Sequence, residues 1–460
     1  MAKKTKTANL SIEEKLEQAL IVPGYEPYKI PDNWCWTQWK MCGEFVAGSA
    51  FKEKYQGIPD LEIPFYKVGS LKYADNNGLL YDSDNTIDED IRGILKAKLI
   101  PSYSVLFAKI GEAIRLNRRA LNYKPCCIDN NLMAFIADNN CYFKYVLYWS
   151  MTVDFYTYTN ATTVPAIRKT DLESIPFPVA PLAEQQRIVE RIESLFSKLD
   201  EAKEKAQEVI NSFETRKAAI LHKAFSGELT AKWREENGVG IESWENRSIN
   251  DICHSLKYGT SKKSKTQGSV IVIRMGNLQQ GEIDWSDLAY TDDKEDIEKY
   301  RLYPGDVLFN RTNSAVLVGK TSIYRGEFPA IYAGYLIKLD YKHDEIIGDY
   351  LNYALNTPAA KEYCNNVKTD GVNQSNINAK KIGAFVIPVA SINEQQVIVE
   401  IISSLLKKEN ESKQAAEVVI DQIYTMKKAI LARAFRGELG TNDPKEESAV
   451  ELLKQILTGE

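Results

Sequence analysis

Two textures of apolar and polar positions alternate along this chain. In the first, Ile188, Ile192, Leu195, Leu199, Ala202, Ala206, Val209 and Phe213 recur at alternating spacings of four and three. That is the seam of a helix that packs lengthwise on another helix. A later segment repeats it: Ile398, Ile402, Leu405, Ala416, Val419 and Ile423 hold the seam, while Glu409 and Ser412 interrupt it where alignment places Leu199 and Ala202. A seam of roughly 40 residues, about 60 Å at 1.5 Å per residue, outruns a single small domain. The two helices are therefore expected to pair with each other rather than to lie on separate domains. Gly227 and Gly437 stand where a helix C-cap is wanted. In the second texture the apolar runs are short, β-branched and aromatic: "IPFYKV", "SVLFAKI", "SVIVIRM", "DVLFNR" and "AFVIPV", bounded by Pro, Gly, Asn and Asp. These predict strands. Helical stretches such as 344–363 lie among them, so the globular parts are mixed α and β, with a strand order that the pattern does not specify.

The textures alternate because the chain is duplicated. Residues 178–230 and 388–440 align at a constant offset of 210 without a gap, and 28 of the 53 positions are identical. Trp34 and Trp244 share the offset. "FYKVGSL" (65–71) resembles "VIRMGNL" (272–278), and "PSYSVLFAKIG" (101–111) resembles "PGDVLFNRTNS" (304–314) with one residue of slip. "SIEEKLEQAL" (11–20) and "SAVELLKQIL" (448–457) agree at five of ten positions. The chain's start thus looks like the end of a repeat, and the repeat is circular. The expected organisation is an N-terminal helical segment over 1–23, a globular domain over 24–180, a long helix over 181–233, a second globular domain over 234–390, a second long helix over 391–440 and a C-terminal helical segment over 441–460.

Composition narrows the function. The chain has 460 residues with 58 Lys and Arg against 63 Asp and Glu, a net charge of −5. Any nucleic-acid surface must therefore be local. No run of 18 apolar residues offers a membrane span, and "MAKKTKTANLSIEEKLEQAL" has no apolar signal core, so a cytoplasmic protein is expected. Seven cysteines, an odd number without a CxxC, read as reduced thiols. Three scattered histidines give zinc or histidine-base chemistry little to work with.

Two motifs invite catalysis and fail. "SAVLVGKT" (314–321) ends like a phosphate-binding loop, but Ser314 replaces the first glycine and apolar Ala315 to Leu317 fill what should be an open anion cradle. A strand with a turn at Gly319 explains it better. Asp340-Tyr341-Lys342 fits half of a nuclease signature, but its only partner, Pro59-Asp60, falls in the other copy. The chain reads as non-catalytic.

Charge placement is more informative. From Cys253 to Gly281 there is no acid, and the stretch holds Lys257, Lys262, Lys263, Lys265 and Arg274. Residues 91–128 carry Arg92, Lys96, Lys98, Lys109, Arg115, Arg118, Arg119 and Lys124 against Glu112 alone, and residues 307–326 carry Arg311, Lys320 and Arg325 with no acid. Basic clusters in matched regions of an otherwise acidic protein favour phosphate contact. Arg311, Thr312, Asn313 and Asn277 add side chains suited to base edges. The acids of 82–90 and 284–298 are expected to face away from a polyanion.

"PLAEQQRIVERIESLF" and "KAAILHKAFSGELT", followed by "LTAKWREENG" and then by the same plan again, resemble the specificity subunit of type I restriction–modification systems. The resemblance covers nearly the whole chain. It implies an α+β fold: two target recognition domains in tandem, separated by two long helices conserved in that family that pair as an antiparallel coiled coil in a pseudo-twofold circular arrangement. It implies a DNA reader without catalysis or cofactor of its own, each domain reading one half of a bipartite site and the helices setting the gap. The implied partners are double-stranded DNA, two adenine-methyltransferase subunits using S-adenosylmethionine, and two translocase/nuclease subunits using ATP and magnesium. Expected DNA contacts are Lys67, Lys109, Arg115, Arg118 and Arg119 in the first domain, and Lys257, Lys262, Lys263, Arg274, Asn277, Arg311, Thr312, Asn313 and Lys320 in the second. Expected partner-docking residues are Gln185, Gln186, Glu190, Gln395, Gln396 and Glu400. The alternatives are a coiled-coil adaptor that binds only protein and a specificity subunit of a related restriction system.

Overall fold

The computed structural model describes residues 11–160, 163–372 and 374–459; the first ten residues of the expected N-terminal segment lie outside that range. The chain divides into two compact units, Met1–Lys205 with Val419–Glu460, and Ala206–Val418.

Both units use one strand plan. In the first, strands 43–47, 132–137, 105–108 and 119–122 lie side by side and antiparallel, with 79–80 added at the edge. In the second, 253–258, 336–341, 307–310 and 321–323 stand in the same order, again antiparallel. A smaller sheet also repeats. Strand 63–66 runs parallel to 127–128 and antiparallel to 86–87, as 270–273 does to 330–332 and 290–291. Finally 35–38 pairs with 176–179, and 245–248 with 386–389. Each plan centres on a wholly buried strand, Val105–Ala108 or Val307–Asn310, which explains why "SVLFA" and "DVLFN" are apolar without alternation. The fold is the expected α+β class, and the strand order is the part that the apolar pattern left open.

The long helices span Leu182–Asn211, Phe213–Phe225 and Ile392–Ala434. The first differs from the single helix expected: it is interrupted at Ser212, whose ψ of −4° flattens the turn. The hydroxyl of Ser212 bonds back to the Glu208 carbonyl, and Arg216 Nη2 donates to the Val209 carbonyl (3.0 Å). Such back-bonding by a serine bends helices without ending them, and the ladder does step across, from Ser212 N to Glu208 O and from Arg216 N to Ser212 O.

Within each unit the start of one long helix packs on the end of the other. Ile188 and Ile192 share a core with Leu431 and Ala434, and Ile398 and Ile402 share one with Leu221 and Ala224. Asp200 meets Lys427 (2.6 Å) in the first unit and Glu409 meets Arg216 (2.6 Å) in the second. Numbers rise along one helix as they fall along the other, so the pairing is antiparallel in both units. Glu409, an interruption of the seam by sequence, thus has a cross-helix partner. Val419 departs from the expected seam and is 38% exposed. Gly227 and Gly437 both take the left-handed conformation, φ +82° and +73°, that closes a helix.

The first unit is completed from both ends of its sequence. Helix Ile12–Ala19, capped by Ser11, and helix Ala449–Thr458, capped by Ser448, join one core. Leu16, Leu20, Leu452 and Leu453 pack in that core, which also holds Trp34.

Candidate nucleic-acid interface

The sheets deliver cations to matched places. Lys67 and Arg274 each follow the central strand of the smaller sheet and open a short 3-10 turn. The backbone N–H of Lys67 donates to Ser70 Oγ (3.1 Å), and that of Arg274 to Asn277 Oδ1 (2.8 Å). Lys109 and Arg311 each follow the buried central strand of the larger sheet. Their carbonyls accept from Ile167 N (2.9 Å) and Ile377 N (2.8 Å), two residues 210 apart. Lys109 and Arg311 therefore occupy equivalent places in the two units.

Around these shared positions the units diverge. In the second, Arg311 is pinned: Nη1 donates to the Gly334 carbonyl (3.3 Å), and the guanidinium lies 4.8 Å from the centre of the Tyr258 ring. Thr312–Asn313 pairs with Ser375–Asn376. Thr312 is buried and its hydroxyl accepts from Asn376 Nδ2 (2.7 Å), so it builds the loop rather than reading a base. Asn313 is half-buried, and its Oδ1 accepts from Ser314 N (2.8 Å). The loop beyond carries Val316 at its tip, 90% exposed. In the first unit a 3-10 turn, Glu112–Leu116, takes that place. Arg115 there pairs with Glu112 (2.7 Å) and stacks 3.6 Å from the centre of the Tyr156 ring, while Arg118 is exposed.

Several expected contacts sit elsewhere. Arg119 is buried, stacked 3.6 Å from the centre of the Phe155 ring and bonded to Asn117 Oδ1 (2.8 Å). Burial depresses its pKa, with Asp154 acting in the opposite sense, and it cannot reach a phosphate. Asn277 is buried and spends its amide on the carbonyls of Asp284 and Asp287. The segment that is acid-free in sequence is not acid-free in space. Strand 270–271 pairs with 290–291, and this brings Lys262 to Asp293 (2.8 Å), Lys265 to Asp292 (3.2 Å) and Arg274 to Asp287 (2.9 Å). Lys257 meets Asp340 (2.7 Å). Acids of 284–298, expected to face away from a polyanion, are partners of these basic residues. Among the described residues Lys263 has no acid partner. Lys67 bonds to Gln56 Oε1 (2.7 Å) and Lys320 to Gln279 Oε1 (2.8 Å).

The two failed motifs resolve physically. Gly319, at φ +90°, turns the chain between strands 307–310 and 321–323, and its N–H donates to the Asn310 carbonyl (2.9 Å). The amide that a phosphate cradle needs is consumed by a hairpin. Asp340 is engaged by Lys257 and Ser255.

The "EQQ" at each helix start divides in function. Gln186, Glu190, Gln396 and Glu400 are exposed. Gln185 and Gln395, expected to meet a partner, are fully buried. Gln185 Oε1 accepts from Tyr142 N (2.8 Å) and Gln395 Oε1 from Ile347 N (3.0 Å), each tying the globular part to its helix. The preceding glutamates were missed by sequence reasoning. Glu184 Oε2 accepts from Trp34 Nε1 (2.7 Å) and from Asn442 Nδ2 (2.9 Å). Glu394 accepts from Trp244 Nε1 (2.8 Å), Arg234 Nη1 (2.7 Å) and Thr230 Oγ1 (2.6 Å). The shared offset of the tryptophans and glutamates was the signal for this duplicated latch.

A family described as the type I restriction modification DNA specificity domain matches residues 42–212 and 241–420. The EcoKI specificity subunit of Escherichia coli is 22% identical over 430 residues, covering 89% of this chain and 90% of that protein. The putative MjaX specificity subunit of Methanocaldococcus jannaschii is 34% identical over 181 residues, covering 37% and 43%. The HsdS subunit of Thermoanaerobacter tengcongensis superposes with a TM-score of 0.60 at 18% identity, covering 90% of this chain and 99% of that one.

Proposed function

This chain belongs to the type I restriction–modification DNA specificity family, and we propose that its two units each read one half of a bipartite DNA site. The chain's function is sequence recognition on DNA, and the observation that carries it is the family match in both halves of the chain. The finer reading rests on the repeated strand plan. A common scaffold holds cations at two matched positions, Lys67 and Lys109 in one unit and Arg274 and Arg311 in the other, among different loops. Cations at a shared position suit phosphates, which every sequence presents, and divergent side chains suit base edges, which differ. The two half-sites should therefore differ.

The family is one of non-catalytic subunits. Methylation by two adenine-methyltransferase subunits with S-adenosylmethionine, and ATP- and magnesium-dependent translocation and cleavage by two further subunits, are expected of partners. The exposed Gln186, Glu190, Gln396 and Glu400 remain candidates for docking them. No helix among the described residues is long and apolar enough to cross a membrane.

Genome-wide methylation sequencing of a cell carrying this chain with its methylating partner tests the reading. The expected result is one bipartite motif with two unlike halves around a fixed gap. A continuous motif, or two identical halves, would overturn it. Gel shifts with that partner across a salt series separate it from a protein-only adaptor, which would give no salt-dependent DNA binding.

A further inference from the structure

The duplication contains one informative mismatch. In the first unit, Lys427 pairs with Asp200 (2.6 Å) across the two long helices. The same positions in the second unit are Lys217 and Asn410, 427 − 210 and 200 + 210. The lysine is kept and its carboxylate is gone. Lys217 instead donates to the backbone carbonyl of Gln280 (3.0 Å).

Lys217 and Asn410 line one cavity of about 630 Å³. Lys217, Gln279 and Gln280 also line a neighbouring one of about 390 Å³, whose walls include Lys320, Lys361 and Asn356. Among the described residues Lys320, the lysine of the GKT, lends its ammonium only to the neutral Gln279 side chain. Lys361 is exposed and makes no ion pair among the described residues. The acids nearby are Glu214 and Glu411 on the walls, and Glu282, which is held by Arg325 (2.7 Å). Burial lowers the pKa of Lys217, and Lys361 adds to this against the opposing Glu214 and Glu282. Burial and Lys361 likewise lower that of Lys320. Three lysines thus line one cavity, where Lys217 and Lys320 meet neutral acceptors instead of carboxylates and Glu214 lies on the same wall. Such an arrangement is electrostatically costly until an anion enters.

We propose that Lys217, Lys320 and Lys361 form an anion site that takes a phosphate group, either a free phosphate or a phosphodiester of bound DNA. Asn410 is the substitution that opened it, since an aspartate there would neutralise Lys217 as Asp200 neutralises Lys427. The site is separate from base reading, which the methylation map tests by itself.

Competitive acetylation of lysines in the full chain, read residue by residue by mass spectrometry, tests it, with the exposed Lys232 as internal control. Inorganic phosphate in one arm and a short duplex in the other should slow labelling of Lys217, Lys320 and Lys361 together by about tenfold relative to Lys232, one pKa unit's worth of preference for the charged form. Protection by phosphate alone marks a small-anion site, and protection by duplex alone marks a contact with the DNA backbone; either supports the proposal. Asn410→Asp, which copies the pair already accommodated in the first unit, should abolish the protection while leaving the thermal unfolding profile in place. Labelling unaffected by phosphate and by duplex overturns the proposal, as does protection that persists in Asn410→Asp.

Discussion

At the scale of single residues, the strongest demands come from the two buried glutamates. Glu184 has one oxygen satisfied by Trp34 and Asn442, while Oε1 is buried without a partner. Burial raises its pKa, and the hydrogen bonds from Trp34 and Asn442 oppose the rise. A carboxyl whose folded pKa exceeds its unfolded value of 4.5 favours the folded state below that value. It loses that contribution as the pH climbs through the folded value. Glu184→Gln should therefore flatten the pH dependence of unfolding above about pH 4.5, which denaturant titrations across a pH series would read. Trp34→Phe removes the indole donor and should destabilise the first unit by about 1–3 kcal/mol. Arg311 is a different case, because its proposed role is to contact DNA from one unit. Arg311→Ala should weaken binding through one half-site and leave the other unchanged; equal loss at both halves in a methylation map would contradict separate reading. What the sequence revealed at this scale followed a clear boundary. The Lys109 and Arg311 positions were visible because they follow apolar strands that align. The pairing of Lys262, Lys265 and Arg274 with Asp293, Asp292 and Asp287 was not, because strand pairing between 270–271 and 290–291 is a tertiary fact.

At the scale of elements, the helices were the most legible part, since a seam at spacings of four and three admits little else. The bend at Ser212 was not legible: serine is ordinary on a helix surface, and only the geometry shows its hydroxyl on the Glu208 carbonyl. Ser212→Ala removes that competing bond and adds a better helix former, so it should raise stability by about 0.5 kcal/mol, measurable by denaturant unfolding. Deleting one or two helical turns between 195 and 215 should change the unspecified gap of the recognised site and not its halves. A methylation map with altered halves at constant spacing would contradict a ruler role for the helices. The sheets were legible as strands but not as an order, because short apolar runs carry no information about neighbours. The repeated order in both units reveals in structure a kinship that the globular sequences barely retain.

At the scale of the whole molecule, the net charge of −5 means that DNA binding depends on a few local cations rather than on a general field. Removing one proposed phosphate contact, for example by Lys109→Met, should weaken binding to all sequences alike and reduce the slope of log affinity against log salt by about one. Salt titrations with the methylating partner present would show it. The division into units has a further consequence, in time rather than in space. Ala206–Val418 is one uninterrupted stretch, whereas the other unit joins Met1–Lys205 to Val419–Glu460. On a ribosome, the second unit has all its contacts soon after residue 418 emerges, while Trp34 and Glu184 still wait for Asn442, and helix 12–19 for helix 449–458. Domains fold as units during synthesis, so the N-terminal unit should mature last. Its half-made core is then the part of the nascent chain most open to chaperones and proteases.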